Sequence, residues 1–287
     1  MQTEQEYQQH EHQQESEQLT QQKQRQLNQK NLQDQLYEFK KEEVQQVLKE
    51  QNQSIQIDPN NNDVGSTSPL LPPELIKSKR RLLVMDMDET MIYTSFKKLD
   101  KYDFTIPVIH PSGHTSKVYV KKRPFLNMFL QECSNEYDIV VFTAAGPRYT
   151  NEVLDYIDLR SVISHRIFGN NVTRLADGKY IKDLGRLGKP LADVILVDDT
   201  PDVYAKHPKN AVHIGKFKGE ENDEQLKQLL PVLLTTLATV DNVQNVLDTS
   251  QSFEWLCNKA VIDGKHVWYV IYYYCNVFTS FIPQINI

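Results

Sequence analysis

Through the middle of the chain one pattern recurs three times: a short apolar run that stops abruptly at polar residues. Residues 82–85 (LLVM) run into Asp86, Met87, Asp88, Glu89 and Thr90. Residues 139–142 (IVVF) run into Thr143 and then Ala-Ala-Gly, and residues 194–197 (VILV) run into Asp198, Asp199, Thr200 and Pro201. Apolar runs of this length, bounded by turn residues, predict buried strands. Three- and four-residue apolar spacing predicts helices over 125–133, entered through Pro124, and over 149–157. A fourth short strand is predicted at 211–214, followed by a strongly apolar helix over 226–237. Between the first strand and the first helix, FTIPVI (104–109) and KVYVK (117–121) flank a Pro-Ser-Gly turn, which predicts a small antiparallel hairpin inserted over 93–122.

Short strands alternating with helices predict an α/β fold, a doubly wound parallel sheet with helices on both faces. Ligands in such sheets bind beyond the carboxyl ends of the strands, and all three polar clusters fall on that edge. A single acid at a strand end is ordinary turn punctuation. Two acids, a threonine and two more acids at three parallel strand ends make a site. A core strand that runs into unpaired carboxylates is costly, so four of them at one edge need a cation to share. Asp oxygens without His or Cys point to a hard ion, Mg²⁺ above all, and a carboxylate cluster around Mg²⁺ commonly handles phosphate. The 93–122 insertion begins just after the first acids and should form a partial cover.

Composition divides the chain further. Residues 1–57 hold 19 glutamines, and 58–73 (DPNNNDVGSTSPLLPP) are rich in breakers, so residues 1–73 read as a mostly disordered arm. Within it, apolar spacing allows a helix over 31–50, either a frayed solvated one or one that binds a partner. Residues 1–78 carry 7 Lys+Arg against 13 Asp+Glu, while residues 79–248 carry 23 of each. The central unit is neutral, which excludes the basic footprint of a nucleic-acid binder. Cys133, Cys257 and Cys275 show neither metal-ligand nor disulfide spacing and suit a reducing compartment. The first ten residues have no apolar core and are not a secretory signal. At the other end, 267–282 (VWYVIYYYCNVFTSFI) carry no charge but fall short of the ~20 residues that span a bilayer. Within the apolar tail 249–287 this run reads as a packed element or sticky segment, with membrane anchoring as the alternative.

Five blocks in order carry a family likeness: Asp86-Met87-Asp88-Glu89-Thr90, KRPFLNMFL (122–130), VFTAA (141–145), YIKDLGRLGKPLADVILVDDTP (180–201) and HPKNAVHI (207–214). Over about 79–248 the chain resembles the haloacid dehalogenase superfamily, and within it the small phosphatases that act on the C-terminal repeat of RNA polymerase II. The resemblance implies that Asp86 is the nucleophile and forms a phospho-aspartyl intermediate, and that Asp88 serves as general acid and then base. It implies phosphate-binding roles for Thr143 and Lys182, and a Mg²⁺ held by Asp86, the Asp88 backbone carbonyl and Asp199, with Asp198 in support. Phe96, Val108 and Tyr149 match substrate-pocket positions, or pack in core and cover. Two departures stand out. Asp198-Asp199 replaces the usual Asp-Asn, which should hold the ion at least as well. Gly146 and Gly169 stand where an apolar residue and an arginine are expected, near the bound peptide.

A cysteine-based phosphatase is excluded, because the position six after each cysteine holds Ile139, Asp263 or Phe281 rather than Arg. GRLGKP (185–190) lacks P-loop spacing. Two rivals to a phosphoprotein phosphatase remain: a small-metabolite phosphatase, which would usually carry a larger cap, and an inactive binding module, which would have lost a catalytic group. The resemblance implies a monomer acting on a phosphoprotein, with the polymerase repeat as the first candidate, in the nucleus or cytoplasm. The run KSKRR (77–81) reads either as an import signal or as charge flanking a core strand.

Overall fold

Alternation inside the apolar runs becomes the two faces of one sheet. The computed structural model describes residue 24 and residues 68–109, 115–174 and 179–247; the helix expected within 31–50, the 267–282 run, Cys257 and Cys275 lie outside the described residues. A short helix α1 (Pro73–Lys77) precedes β1 (Arg81–Met85), which is followed by β2 (Ile92–Ser95), β3 (Phe104–Ile109) and β4 (Thr115–Lys122). Helix α2 (Leu126–Glu136) leads to β5 (Tyr137–Phe142), and α3 (Pro147–Ile157) to β6 (Ile163–Ile167). A two-residue pair, β7 (Thr173–Arg174) and β8 (Tyr180–Ile181), precedes β9 (Val194–Asp198), β10 (Ala211–His213) and α4 (Gln225–Pro231).

The main sheet has the order β10-β9-β1-β5-β6 and is parallel throughout. Leu83 lies level with Ile139 and Ile195, and Met85 with Val141 and Val197, so the residues that follow β1, β5 and β9 emerge together at one edge. Leu83, Met85, Ile139, Val141, Ile195 and Val197 face α2, α3 and α4, packing with Phe129, Leu154 and Leu229. Their alternates Leu82, Val84, Val140, Phe142 and Leu196 face the other way, onto Leu71, Leu75, Leu184, Leu187 and Tyr204. That second face is covered by α1 and by 3-10 turns at Leu184–Leu187 and Pro201–Tyr204 rather than by long helices. Strand alternation with a period of two produces both layers.

The structure differs from the expected elements in four places. The insertion is a three-stranded antiparallel sheet, β2-β4-β3, because residues 92–95 turn straight back from the acidic loop and pair with β4. The helix expected over 226–237 ends as α4 at Pro231 and continues as wider π turns over Val232–Leu237, since proline has no N–H to give the α ladder. Edge strand β6 carries no continuous apolar run to announce it. Finally, the folded unit begins before residue 79. Leu71 is 3% exposed, and α1 lies against the sheet, so the Pro-rich stretch before 73 is not all solvated arm.

The basic run 77–81 is built into this frame. Arg80 Nη2 donates to the Tyr137 carbonyl at 2.7 Å, and Arg81 Nη1 donates to the Leu237 carbonyl at 2.6 Å. Cys133 is buried in the core with a free thiol.

Candidate active site

Asp86 is delivered by β1. Its N–H still donates to the Val197 carbonyl of β9 at 3.0 Å, so it is held as the last rung of the sheet. The chain then reverses within five residues. The N–H groups of Met91 and Ile92 both donate to the Met87 carbonyl, and the Glu89 N–H donates to Ile92 O at 2.7 Å. Glu89 takes φ 63°, a left-handed conformation that costs a non-glycine residue about 1 kcal/mol or more. The reversal sets Asp86 and Asp88 at the mouth of the edge, with β2 leaving directly behind them.

Asp86, Asp198, Asp199 and Lys182 are all buried, none more than 8% exposed. Lys182 Nζ lies 2.6 Å from Asp86 Oδ1 and 2.6 Å from Asp198 Oδ2, bridging the ends of β1 and β9. Asp86, Asp198 and Asp199 each offer an oxygen within 4.8 Å of the others. Burial first, and then the negative charges of Asp198 and Asp199, push the Asp86 carboxyl up to about 8 against the opposing pull of Lys182. Burial likewise raises Asp198 above the usual carboxylate range, again opposed by Lys182. Burial also disfavours the charge on Lys182, but Asp198 and Asp86 outweigh it and hold the ammonium above its ordinary value. The one buried ammonium, Lys182, pairs with Asp86 and Asp198, so the three carboxylates carry more negative charge than it can offset. An all-oxygen set of three buried carboxylates with uncompensated negative charge fits a hard divalent ion.

Two hydroxyls and a backbone N–H hold the oxygens of Asp199 and Asp198. Thr90 Oγ1 donates to Asp199 Oδ1 at 2.9 Å, Thr200 Oγ1 donates to Asp199 Oδ2 at 3.0 Å, and the Thr200 N–H donates to Asp198 Oδ1 at 2.9 Å. Thr143 follows β5; its N–H donates to Ile167 O at 3.0 Å, and its Oγ1 accepts from the Ala145 N–H at 3.1 Å. With that lone pair used, its hydroxyl proton can be donated to a ligand oxygen. The structure thus joins Asp86, Lys182 and Asp198 directly, sets an Asp199 oxygen within 4.8 Å of the other two carboxylates, and holds Thr143 at the same sheet edge, on the neighbouring strand.

The three pocket candidates fare differently. Val108 and Tyr149 are 3% and 2% exposed and belong to the core; Phe96 packs, partly buried, against the same core. Tyr149 nevertheless reaches the site, its hydroxyl donating to Asp88 Oδ1 at 2.8 Å. Gly146 and Gly169 lie close together beside the β5 end, where Gly169 N–H donates to the carbonyl of Ala145, the residue before Gly146, at 2.8 Å.

Sequence reasoning misses two contributors. Lys216, with its side chain half exposed, lies 2.8 Å from Glu89 Oε2 and 3.4 Å from Asp199 Oδ2. Arg123 is fully buried. Its guanidinium grips Asp223 through Nε and Nη2, both at 2.8 Å, and donates to Gly215 O at 2.9 Å and Thr90 O at 3.1 Å. Neither has a local signal, because each meets its partners only through the tertiary fold.

The sequence profile of the NLI interacting factor-like phosphatases matches residues 81–244. A probable C-terminal domain small phosphatase of Dictyostelium discoideum is 38% identical over 192 residues, 67% of this chain and 61% of the relative. The phosphatase Herzog of Drosophila melanogaster is 38% identical over 196 residues, 65% of this chain and 55% of the relative. The human carboxy-terminal domain RNA polymerase II polypeptide A small phosphatase 1 is 36% identical over 179 residues, 62% of this chain and 67% of the relative. The chain therefore spans about three fifths of the first two relatives. Among solved structures, the fission yeast RNA polymerase II CTD phosphatase Fcp1 bound to beryllium fluoride covers 65% of this chain and 57% of its own, at 22% identity and a TM-score of 0.41.

Proposed function

This chain belongs to the NLI interacting factor-like phosphatase family, and from that premise we propose that it removes phosphate from phosphoserine in an extended peptide, through a phospho-aspartyl intermediate on Asp86. The observation that carries the reading is Lys182, whose buried ammonium touches both Asp86 and Asp198 at the carboxyl edge of the sheet.

In the first step an Asp86 carboxylate oxygen attacks phosphorus, and the bond from phosphorus to the serine oxygen breaks. Asp88 gives its proton to that leaving oxygen. In the second step Asp88 takes a proton from water, which attacks the phosphorus, expels Asp86 and releases inorganic phosphate. Lys182 and the Thr143 hydroxyl donate to the phosphoryl oxygens, so that charge developing there meets donors already in place. Asp86, Asp199 and the Asp88 backbone carbonyl, with Asp198 in support, would hold Mg²⁺, which supplies positive charge for the carboxylates and the phosphoryl group.

The cover favours a peptide over a small metabolite. Among the described residues the insertion after β1 is the β2-β4-β3 sheet, without a helical lid to enclose a free ligand. The relatives' names support the C-terminal repeat of RNA polymerase II, or a similar extended phosphopeptide, as substrate, and a nuclear place of action with it.

The test measures hydrolysis of an aryl phosphate and of a phosphoserine repeat peptide, with Mg²⁺ and after chelation. Asp86→Asn is nearly isosteric and should fold yet lose about a thousandfold or more in turnover. Beryllium fluoride with Mg²⁺ should protect the wild type and not this variant. Activity within about tenfold of wild type in Asp86→Asn would remove the nucleophile assignment. Activity that survives full chelation would remove the ion.

A further inference from the structure

Tyr149 enters α3 in its first turn, behind Gly146 and Pro147, and its ring is sunk in the core beside the carboxyl edge of the sheet. The hydroxyl is the ring's one polar atom. It lies 2.8 Å from Asp88 Oδ1 and 3.4 Å from Oγ1 of Thr94, a buried residue of β2. A phenol has one proton, and the nearer acceptor, the carboxyl oxygen, takes it. The Thr94 hydroxyl can then donate back to the phenol oxygen. Cap strand, helix and loop are thereby joined in a chain that ends on Asp88, itself only partly buried, two residues after Asp86.

The geometry points to Tyr149 as a positioning residue: its hydroxyl holds the Asp88 carboxyl in the orientation from which that group passes its proton to the leaving oxygen. The inference rests on the acid–base role proposed for Asp88. The ring is fixed by the core, and its hydroxyl bonds a side chain that must meet a substrate atom within hydrogen-bond reach. The carboxyl rotates about a broad two-fold torsion unless something holds it, and lost orientation is lost rate. The phenol keeps its own O–H bond throughout; the proton that moves belongs to Asp88, and it goes to the ester oxygen as the phosphorus–oxygen bond breaks.

Leaving groups separate this role from plain packing. For the full chain with Mg²⁺, kcat/KM is measured over a series of aryl phosphates from p-nitrophenyl to phenyl, since a good leaving group needs little proton and a poor one needs it fully. Asp88→Asn should steepen the dependence on leaving-group basicity. Tyr149→Phe should steepen it in the same sense, losing about tenfold or more on phenyl phosphate and less than about threefold on p-nitrophenyl phosphate. The double variant should lose no more than Asp88→Asn alone, because Tyr149 acts through Asp88. Thr94→Val loosens the phenol from behind and should show the same trend at smaller amplitude, which keeps the test open if Tyr149→Phe does not fold. A uniform loss on every ester, a rise confined to KM, or an additive double variant would overturn the inference while leaving the phosphatase reading intact. An unchanged slope in Asp88→Asn would overturn the acid role of Asp88 and this inference with it.

Discussion

Asp199 accepts from two threonine hydroxyls and faces the Lys216 ammonium across 3.4 Å, so its charge in the ion-free protein is balanced from outside the cluster. A cation bound beside Asp199 must work against Lys216. Lys216→Met should therefore tighten Mg²⁺ binding, by roughly two- to fivefold at low salt, since a half-exposed ion pair is worth about 1 kcal/mol or less. Calorimetric titration of the ion-free protein reads this directly, and weaker or unchanged binding would refute it. Asp86 sets a second expectation. Its carboxyl is raised from 3.8 to about 8, so between those values the folded chain keeps a proton that the unfolded chain has released. Stability from this group is full below the lower value and is lost as pH rises through the upper one. Melting of the chelated protein should fall from about pH 5 to about pH 8, and the gain on adding Mg²⁺ should grow over the same window, because binding there displaces fewer protons. Asp86→Asn should flatten both trends; a trend that survives in that variant belongs to another group.

Arg123 couples the elements around the site. Its fork ties the start of α2 to Asp223, while Nη1 holds the Thr90 carbonyl beside the acidic loop and the guanidinium lies 5.5 Å from the Phe217 ring centroid. Arg123→Met would leave the Asp223 carboxylate buried without its partner, a loss of about 3–5 kcal/mol, and would loosen the loop that carries Asp88 and Thr90. Denaturant unfolding should report that loss alongside reduced turnover; a change below about 1 kcal/mol would mean that the loop is held by other contacts. Strands β1, β5 and β9 are legible in sequence because burial on both faces makes them unbroken apolar runs. The acids and the threonine that end them are legible for the same reason, since nothing apolar follows. Strand β6 is written Ile-Ser-His-Arg-Ile, with one side open to solvent, and β2 is four residues tucked behind a motif that already reads as loop. The pairing of Tyr149 with Asp88, of Lys216 with Asp199 and of Arg123 with Asp223 crosses 61, 17 and 100 positions respectively, and no local pattern encodes it.

On the scale of the whole molecule, composition places the edge of the folded unit near 79, yet packing moves it to about 69. Leu71 and Leu75 fill the sheet face that has no long helix, Leu70 N–H donates to Arg186 O at 2.8 Å, and Lys189 Nζ donates to the Leu75 and Ser78 carbonyls. Gly188 has φ 84°, and a Cβ there would meet the Pro69 ring at 2.7 Å, so residues 68–71 lie flat against the loop that runs from Lys182 to β9. A Pro- and Leu-containing stretch after polar residues looks like linker because its apolar surface is too short to show periodicity. Its burial is decided by the shallow cover opposite. Two fragments test the boundary. One spanning 68–250 should keep wild-type activity on an aryl phosphate and unfold as one unit. One spanning 74–250 loses Leu70, Leu71 and the bond to Arg186. Burying a leucine is worth about 1.5–3 kcal/mol, so this fragment should melt lower by roughly 5–10 °C. Because the lost contacts back the loop leading to β9, its Mg²⁺-dependent activity should fall first on warming, while at low temperature turnover stays near that of the longer fragment. Equal melting points for the two would return the edge to 74 and make the leucine packing incidental.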